Sequence, residues 1–502
     1  MQLSIYLIFG GNKMEFSFDL KRKKNKNLYT QLYEKLKTKI LKGKLEAHTR
    51  LPAIRNIANK NNINPATVVK AYNLLERDEL IYKKVGSGSY VSPGLIKNNI
   101  DLDYKNSTEK DSLEMLDYGQ IDLADSINFA SATPSPSLFP VEDFKFALNK
   151  VLTRDKGQAF TYQKSQGYYP LRETISKYLK ENEINTKAEN IQIVSGAQQA
   201  IDLLSKILLN FGDKIVVEEP TYTGALSAFR SRKASIEGIK LEEDGMDLDL
   251  LEKKLKKNKI RFVYIMTSFQ NPTGMSWSKK KKNKLLKLAA EYNFLIIEDD
   301  CLSELYFSDK KPLSLKSLDK EGRVIYIKSF SKIFMPGLRL AFTILPDQLL
   351  PKMLAAKHAT DISSAGITQR SFDFYLREGL WEKHLNQMRN LFKKRFKIMK
   401  EAINQYLLTS ADLLYNPKGG LYFWLSLKNN LSSEKLYKES LDNGVAFLPG
   451  TLFYHDSRKS NDLRLSFAAS NEKEIKDGIK ILADNIIKIQ SSDKNKGYTP
   501  LV

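Results

Sequence analysis

From Ile127 onward, short β-branched runs alternate with amphipathic helical stretches: Ile191 to Val194, Lys214 to Val217, Phe262 to Met266, Phe294 to Ile297 and Val324 to Ile327. This alternation constrains the fold more than any other feature. Near-continuous apolar runs describe strands buried on both faces, and the helical segments between them supply the crossovers that parallel neighbours require. The expected class is α/β, a mostly parallel sheet flanked by helices with a small α/β domain, over residues 127–490. Residues 491–502 read as a frayed tail.

A chain of 502 residues, 42% hydrophobic and 10% aromatic, is globular and long enough for two or three domains with substantial cores. The single cysteine, Cys301, excludes an intramolecular disulfide and fits a reducing cytoplasm. A net charge of +22 favours a polyanionic partner. Lysine-rich helix faces such as Ser278 to Lys287 account for much of it, so charge alone carries little weight. Leu3 to Phe9 is too short to span a bilayer and lacks a preceding basic region, so neither a membrane anchor nor a signal peptide is expected. Residues 1–13 read as an upstream extension. Residues 95–126 are polar and of mixed charge, a linker with one short helix around Leu113 to Leu116.

Residues 14–94 have the texture of a separate module. Leu32, Leu36 and Ile40 share one face of a helix from Tyr29 to Leu41. Pro52-Ala53-Ile54-Arg55 opens a second helix. Asn64, a good N-cap, precedes Pro65 and a third helix through Leu75. Two short helices around a tight turn make a helix-turn-helix, and Gly86-Ser87-Gly88 between Leu80-Ile81-Tyr82 and Ser89-Tyr90-Val91 makes a hairpin wing. Val68, Ala71 and Leu75 are assigned to the module's core.

Ser329-Phe330-Ser331-Lys332, with Arg339 seven residues on, follows an apolar run as a strand end would. That set can hold a phosphorylated aldehyde: Lys332 condenses with the carbonyl, Ser329 and Ser331 hydrogen-bond the phosphate, and Arg339 pairs with it. Ser195-Gly196-Ala197-Gln198 joins a strand to a small-residue helix N-terminus, where the backbone of Gly196, Ala197 and Gln198 can cradle a phosphate. Phe294 to Asp300 is a buried strand ending in carboxylates. Asp299 is placed to pair with a protonated ring nitrogen, and Asp300 to cap the following turn. Arg464, on an apolar alternating strand, needs an anionic partner.

Leu51 to Arg55, Thr67 to Tyr72 and Gly86 to Val91 together resemble the winged helix of GntR-family regulators. That resemblance implies binding to double-stranded DNA through Arg55, Thr67, Lys70, Gly86 and Gly88, with Pro65 standing where many relatives carry a base-reading arginine. Residues 127–490 resemble fold-type I aminotransferases, which use pyridoxal phosphate, in Gly167 with Pro170-Leu171-Arg172, Glu218 to Tyr222, Asn271-Pro272-Thr273-Gly274 and Asp462 to Phe467. The resemblance implies that Tyr222 stacks on the pyridine ring, Asn271 bonds the cofactor's phenolic oxygen and Arg464 grips an amino acid's α-carboxylate. A tyrosine that often follows the paired carboxylates is replaced by Cys301 and Leu302. Gly419 to Trp424 and Pro449-Gly450 resemble the small-domain strand and substrate-side loop.

The order of these motifs resembles the MocR/GabR-type regulators, which implies a homodimer. Two functions fit: a transcription factor sensing pyridoxal phosphate, an amino acid or an amine, and a working aminotransferase that also binds DNA.

Overall fold

The computed structural model describes residues 16–18, 20, 27–41, 44–84, 86–92 and 126–496. The expected extension at 1–13 and most of the linker, including its helix around Leu113, lie outside the described residues. The chain divides into two compact units, Met1–Lys105 and Asn106–Val502.

In the first unit, α1 (Leu28–Leu41), α2 (Ile54–Lys60) and α3 (Pro65–Arg77) enclose a core of Leu32, Leu36, Ile57, Val68, Ala71 and Leu75. The α3 start follows the local chemistry. Asn64 Oδ1 accepts from the Ala66 amide at 2.8 Å, and Pro65 occupies the first turn, where no amide is needed. Tyr72 turns inward, donating its hydroxyl to the Pro52 carbonyl at 2.8 Å and so tying α3 to the entry of α2. The wing is an antiparallel pair, β1 (Ile81–Lys84) and β2 (Gly88–Val91), with Ile81 opposite Val91 and Lys84 opposite Gly88.

The second unit opens with β3 (Ile127–Asn128) and is built on an eight-stranded sheet. Its strands are β4 (Ile191–Val194), β5 (Lys214–Glu219), β6 (Ser235–Glu242), β7 (Gly245–Met246), β8 (Ile260–Ile265), β9 (Leu295–Asp300), β10 (Val324–Ser329) and β11 (Ala341–Ile344). Their spatial order is β4-β11-β10-β9-β8-β5-β6-β7. The five strands from β10 to β6 are parallel, whereas β11 runs antiparallel between β10 and β4.

Both faces are buried, and the period of two sorts them. Phe262, Tyr264, Ile297, Ile325 and Ile327 pack on one side with Leu204 and Phe229 from the helices Ala197–Leu208 and Thr223–Ser231. Val263, Ile265, Ile296 and Val324 pack on the other with Leu251, Leu285 and Leu288. A smaller sheet follows, from β12 (Ala411–Leu413) and β13 (Tyr422–Leu427), with β14 (Val445–Ala446) pairing β3, and β15 (Leu448–Pro449) and β16 (Asp462–Ser466) completing the antiparallel set.

As expected, β9 ends in Asp299 and Asp300, which alternate to opposite sides of the sheet, and it begins at Leu295, one residue after the expected start. One expectation needs adjusting. The terminal helix Glu472–Lys496 extends through residues 491–496, which were expected to fray; its apolar positions Ile475, Ile479, Leu482 and Ile486 are buried and anchor it. Among the described residues, no helix is long and apolar enough to cross a membrane.

Candidate functional site

The alternation that packs the sheet also aims the site. On β8, β9 and β10, the positions after Phe262, Ile297 and Ile327 on the same face are Tyr264, Asp299 and Ser329, all near the carboxyl ends of parallel strands, where ligands bind in open α/β sheets. A cavity of about 120 Å³ lies there. It brings together Ala197, Gln198, Tyr222, Asn271, Asp299, Ser329, Ser331, Lys332 and Arg339, nine of the residues expected from sequence, and adds Met266, Cys301, Leu302 and Tyr422.

Gly196 and Arg339 shape one end. Gly196 has φ of 99°, a conformation costly for residues with a Cβ, and a Cβ there would strike the Arg339 guanidinium. Arg339 itself adopts φ of 50°, left-handed backbone that holds its Nη2 against the Ser195 carbonyl at 2.8 Å. Gln198 and Arg339 are exposed and Ser331 half-buried, so this end opens toward solvent. A helix N-terminus, two hydroxyls and a guanidinium form a donor set suited to a phosphate.

Asp299 lies at the closed end. Its Oδ2 accepts from the Tyr264 hydroxyl at 2.7 Å and its Oδ1 from the Cys301 thiol at 3.1 Å. Burial raises its affinity for a proton above that of an ordinary carboxyl, against the pull of these two donors. Burial also pushes the Cys301 thiol well up, with the Asp299 charge adding to it, so the thiol stays protonated and serves as a donor. Lys332 is shifted the other way: burial, then the Arg464 and Arg339 charges, hold its ammonium below the ordinary lysine value. Its neutral, nucleophilic form is thereby favoured.

Arg464 reaches in from β16. Its Nη1 donates to Asn271 Oδ1 at 2.9 Å and its Nη2 to the Ala130 carbonyl, while the guanidinium carbon lies 4.8 Å from the Tyr422 ring centroid. Nε is buried without a hydrogen-bond partner, and no carboxylate pairs with this guanidinium among the described residues. Arg464 does not line the cavity itself; Asn271 and Tyr422, which it touches, do.

Asp300 does more than cap the turn. It accepts from the Ser303 amide at 3.0 Å as expected, but it also faces Lys328 Nζ at 3.2 Å and the Tyr326 hydroxyl at 2.7 Å, with Glu304 on the same lysine. Burial alone would raise its proton affinity; Lys328 and Lys311 hold it below the carboxylate range. This cluster lies on the face of the sheet opposite Asp299.

Tyr264 and Cys301 escaped the sequence reading. The signal for Tyr264 was its parity with Phe262 and Met266 on one strand. Cys301 marks in the sequence only a lone thiol and a missing tyrosine, and neither points to its hydrogen bond with Asp299.

In the first unit, Arg55, Lys70, Gly86 and Gly88 are exposed and Thr67 is half-buried. Gly86 and Gly88 have φ of 75° and 121°, the left-handed backbone a tight wing needs. The Lys70 ammonium lies 5.8 Å from the Tyr29 ring centroid.

Comparison with known proteins agrees with both halves. Residues 124–482 match the family "Aminotransferase class I and II", and residues 28–91 match "Bacterial regulatory proteins, gntR family". The chain is 33% identical to aromatic-amino-acid aminotransferase 1 of Thermococcus litoralis, over 73% of this chain and 89% of the relative. It is 29% identical to the uncharacterized HTH-type transcriptional regulator YdfD of Bacillus subtilis, over 93% of this chain and 97% of the relative. Among solved structures, LysN, the α-aminoadipate aminotransferase of Thermus thermophilus complexed with N-(5'-phosphopyridoxyl)-L-leucine, superposes with a TM-score of 0.70 at 32% identity, over 77% of this chain and 96% of that one. With residues 124–482 matching that family and residues 28–91 the gntR family, the chain belongs to the aminotransferase class I and II family, in the form that carries an N-terminal gntR-family domain, as the MocR/GabR-type regulators do.

Proposed function

We propose that this chain is a DNA-binding transcription regulator whose aminotransferase-like unit holds pyridoxal phosphate and responds to a carboxylate-bearing amino compound. The observation that carries this reading is a complete donor set around Lys332 in the same chain as a winged helix with exposed Arg55 and Lys70.

The pocket suits the cofactor. Gly196, Ala197, Gln198, Ser329, Ser331 and Arg339 would hold its phosphate, Tyr222 would cover its ring, Asn271 would meet its phenolic oxygen and Asp299 its ring nitrogen. When bound, the cofactor supplies an aldehyde for amines and a ring that withdraws electrons. The protein's own part is to weaken the hold of Lys332 on its proton, to hold Asp299 between Tyr264 and Cys301, and to present Arg464 to a carboxylate. Arg464, buried with an unpartnered Nε, favours an amino acid over a simple amine as effector.

A homodimer is the assembly that this reading takes, presenting two winged helices to paired half-sites. Arg55, Thr67, Lys70, Gly86 and Gly88 would meet an operator.

A second reading, a working aminotransferase, draws on the depressed Lys332 and on relatives that bear that name. The test is twofold. Titrating the loaded protein with a panel of amino acids and amines should change cofactor absorbance with carboxylate-bearing ligands and alter operator affinity, with slow or no turnover of an amino donor and a keto acid. Rapid turnover with operator affinity indifferent to ligand would favour the enzyme. Deleting residues 1–95 should leave a yellow dimer without operator affinity.

A further inference from the structure

Tyr422 opens β13 and is 2% exposed, and its side chain forms part of the cavity wall with Asn271, Asp299, Cys301 and Leu302. A buried tyrosine hydroxyl usually finds a hydrogen-bond partner. Among the described residues this one has none, whereas two nearby phenols do: Tyr222 donates to Gln198 Oε1 at 3.3 Å and Tyr264 to Asp299 Oδ2 at 2.7 Å. Burial pushes the Tyr422 phenol up to about 12 against the pull of the Arg464 charge, with Cys301 and Asp299 adding to the rise. The group therefore stays protonated and can donate.

Its neighbours fix where that donor sits. The Arg464 guanidinium carbon lies 4.8 Å from the Tyr422 ring centroid, a contact that holds the ring, and the same guanidinium donates to Asn271 Oδ1 at 2.9 Å. On the main-chain side, a Cβ at Gly274 would lie 2.6 Å from the Tyr422 carbonyl, so the turn 271–274 and β13 are in close contact. Tyr422 is thus held beside Asn271. In the proposed arrangement the phosphate meets a helix N-terminus, two hydroxyls and a guanidinium, and the ring nitrogen meets Asp299. The phenolic oxygen meets Asn271 alone. With its Oδ1 taken by Arg464, Asn271 has only its amide nitrogen left to donate. Leu302, standing with Cys301 where a tyrosine often does, lines the cavity without adding a polar atom.

We propose that the Tyr422 hydroxyl is the second donor to the phenolic oxygen of pyridoxal phosphate, alongside Asn271. The inference rests on the cofactor reading above and adds to it a binding residue delivered by the small sheet rather than by the large one.

The test is equilibrium binding to the full-length protein with two probes: pyridoxal phosphate, and the analogue in which hydrogen replaces the phenolic hydroxyl. Tyr422→Phe keeps the ring and its contact with Arg464, and its melting temperature is measured alongside. The variant should bind pyridoxal phosphate about tenfold more weakly, the worth of a hydrogen bond to a charged group, and should bind the analogue as the wild type does. Equal losses for both probes, or no loss for either, overturn the assignment while the cofactor reading stands. A wild-type protein that binds neither probe overturns the cofactor reading and this inference with it.

Discussion

The Tyr264 hydroxyl donates to Asp299 Oδ2 at 2.7 Å, from a neighbouring parallel strand, and the Cys301 thiol takes the other oxygen at 3.1 Å. A buried carboxylate is costly unless hydrogen-bonded, so these two donors favour the anionic form of Asp299, the form that the proposed pairing with a cationic ring nitrogen requires. Tyr264→Phe removes a charge-assisted hydrogen bond worth about 1.5–3 kcal/mol and leaves the ring packing in place. Pyridoxal phosphate affinity should fall about tenfold or more by fluorescence titration, with only a small change in melting temperature. An unchanged titration would separate Tyr264 from cofactor binding.

Lys332→Ala should abolish covalent retention of the cofactor. Lys328, four residues earlier, faces the opposite side of the sheet and is already paired with Asp300 and Glu304, so it cannot substitute. Mass spectrometry after borohydride reduction should find no pyridoxyl-lysine; a modified lysine elsewhere would refute the assignment.

Arg464→Ala should leave cofactor retention intact and weaken the response to amino acids, while amines lacking a carboxylate are unaffected. A charge-assisted pair contributes about 1.5–3 kcal/mol, so the midpoint of an absorbance titration should rise more than tenfold.

Gly196→Ala introduces a Cβ at φ of 99° and against Arg339. The strain is of the order of 1–3 kcal/mol, and Arg339 must leave its place at the Ser195 carbonyl. Cofactor retention should drop sharply and the melting temperature modestly. Wild-type retention by gel filtration would show that this end of the pocket does not hold the phosphate.

Glu218 points away from the cavity, and burial pushes its carboxyl up to about 8, although Trp277 Nε1 at 2.7 Å and the Met266 amide at 3.0 Å donate to it. An unfolded chain ionises it near the ordinary value of 4.5. Between those two values the folded state holds the extra proton, so stability present at low pH is lost as pH rises toward 8. Glu218→Gln cannot titrate. Urea midpoints measured from acid to mildly alkaline pH should therefore converge in favour of the variant as pH rises; parallel curves would rule out Glu218 as the titrating group.

Much of the site was legible because its groups sit in short stretches where chemistry and backbone coincide. Ser329, Ser331 and Lys332 follow a strand, and Gly196 with Ala197 opens a helix, so adjacent residues define both the turn and its donors. The antiparallel β11 was not legible, since Ala341 to Ile344 is four residues long and reads like any buried run. The pairing of Lys328 with Asp300 and Glu304 was missed for a related reason, as a lysine inside an apolar strand announces a partner without naming it.

The sequence by itself determined the two-part organisation, the α/β class and the strand-end positions of residues that line the Lys332 cavity, because hydrophobic period and turn chemistry act over a few residues. Only the tertiary structure decided which distant groups meet. Arg464 reaches Asn271 across 193 residues, and Tyr264 reaches Asp299 across 35. Such contacts depend on strand order and register, which are set by packing of the whole sheet against its helices, and a buried polar group accepts whatever partner that packing brings within hydrogen-bond reach.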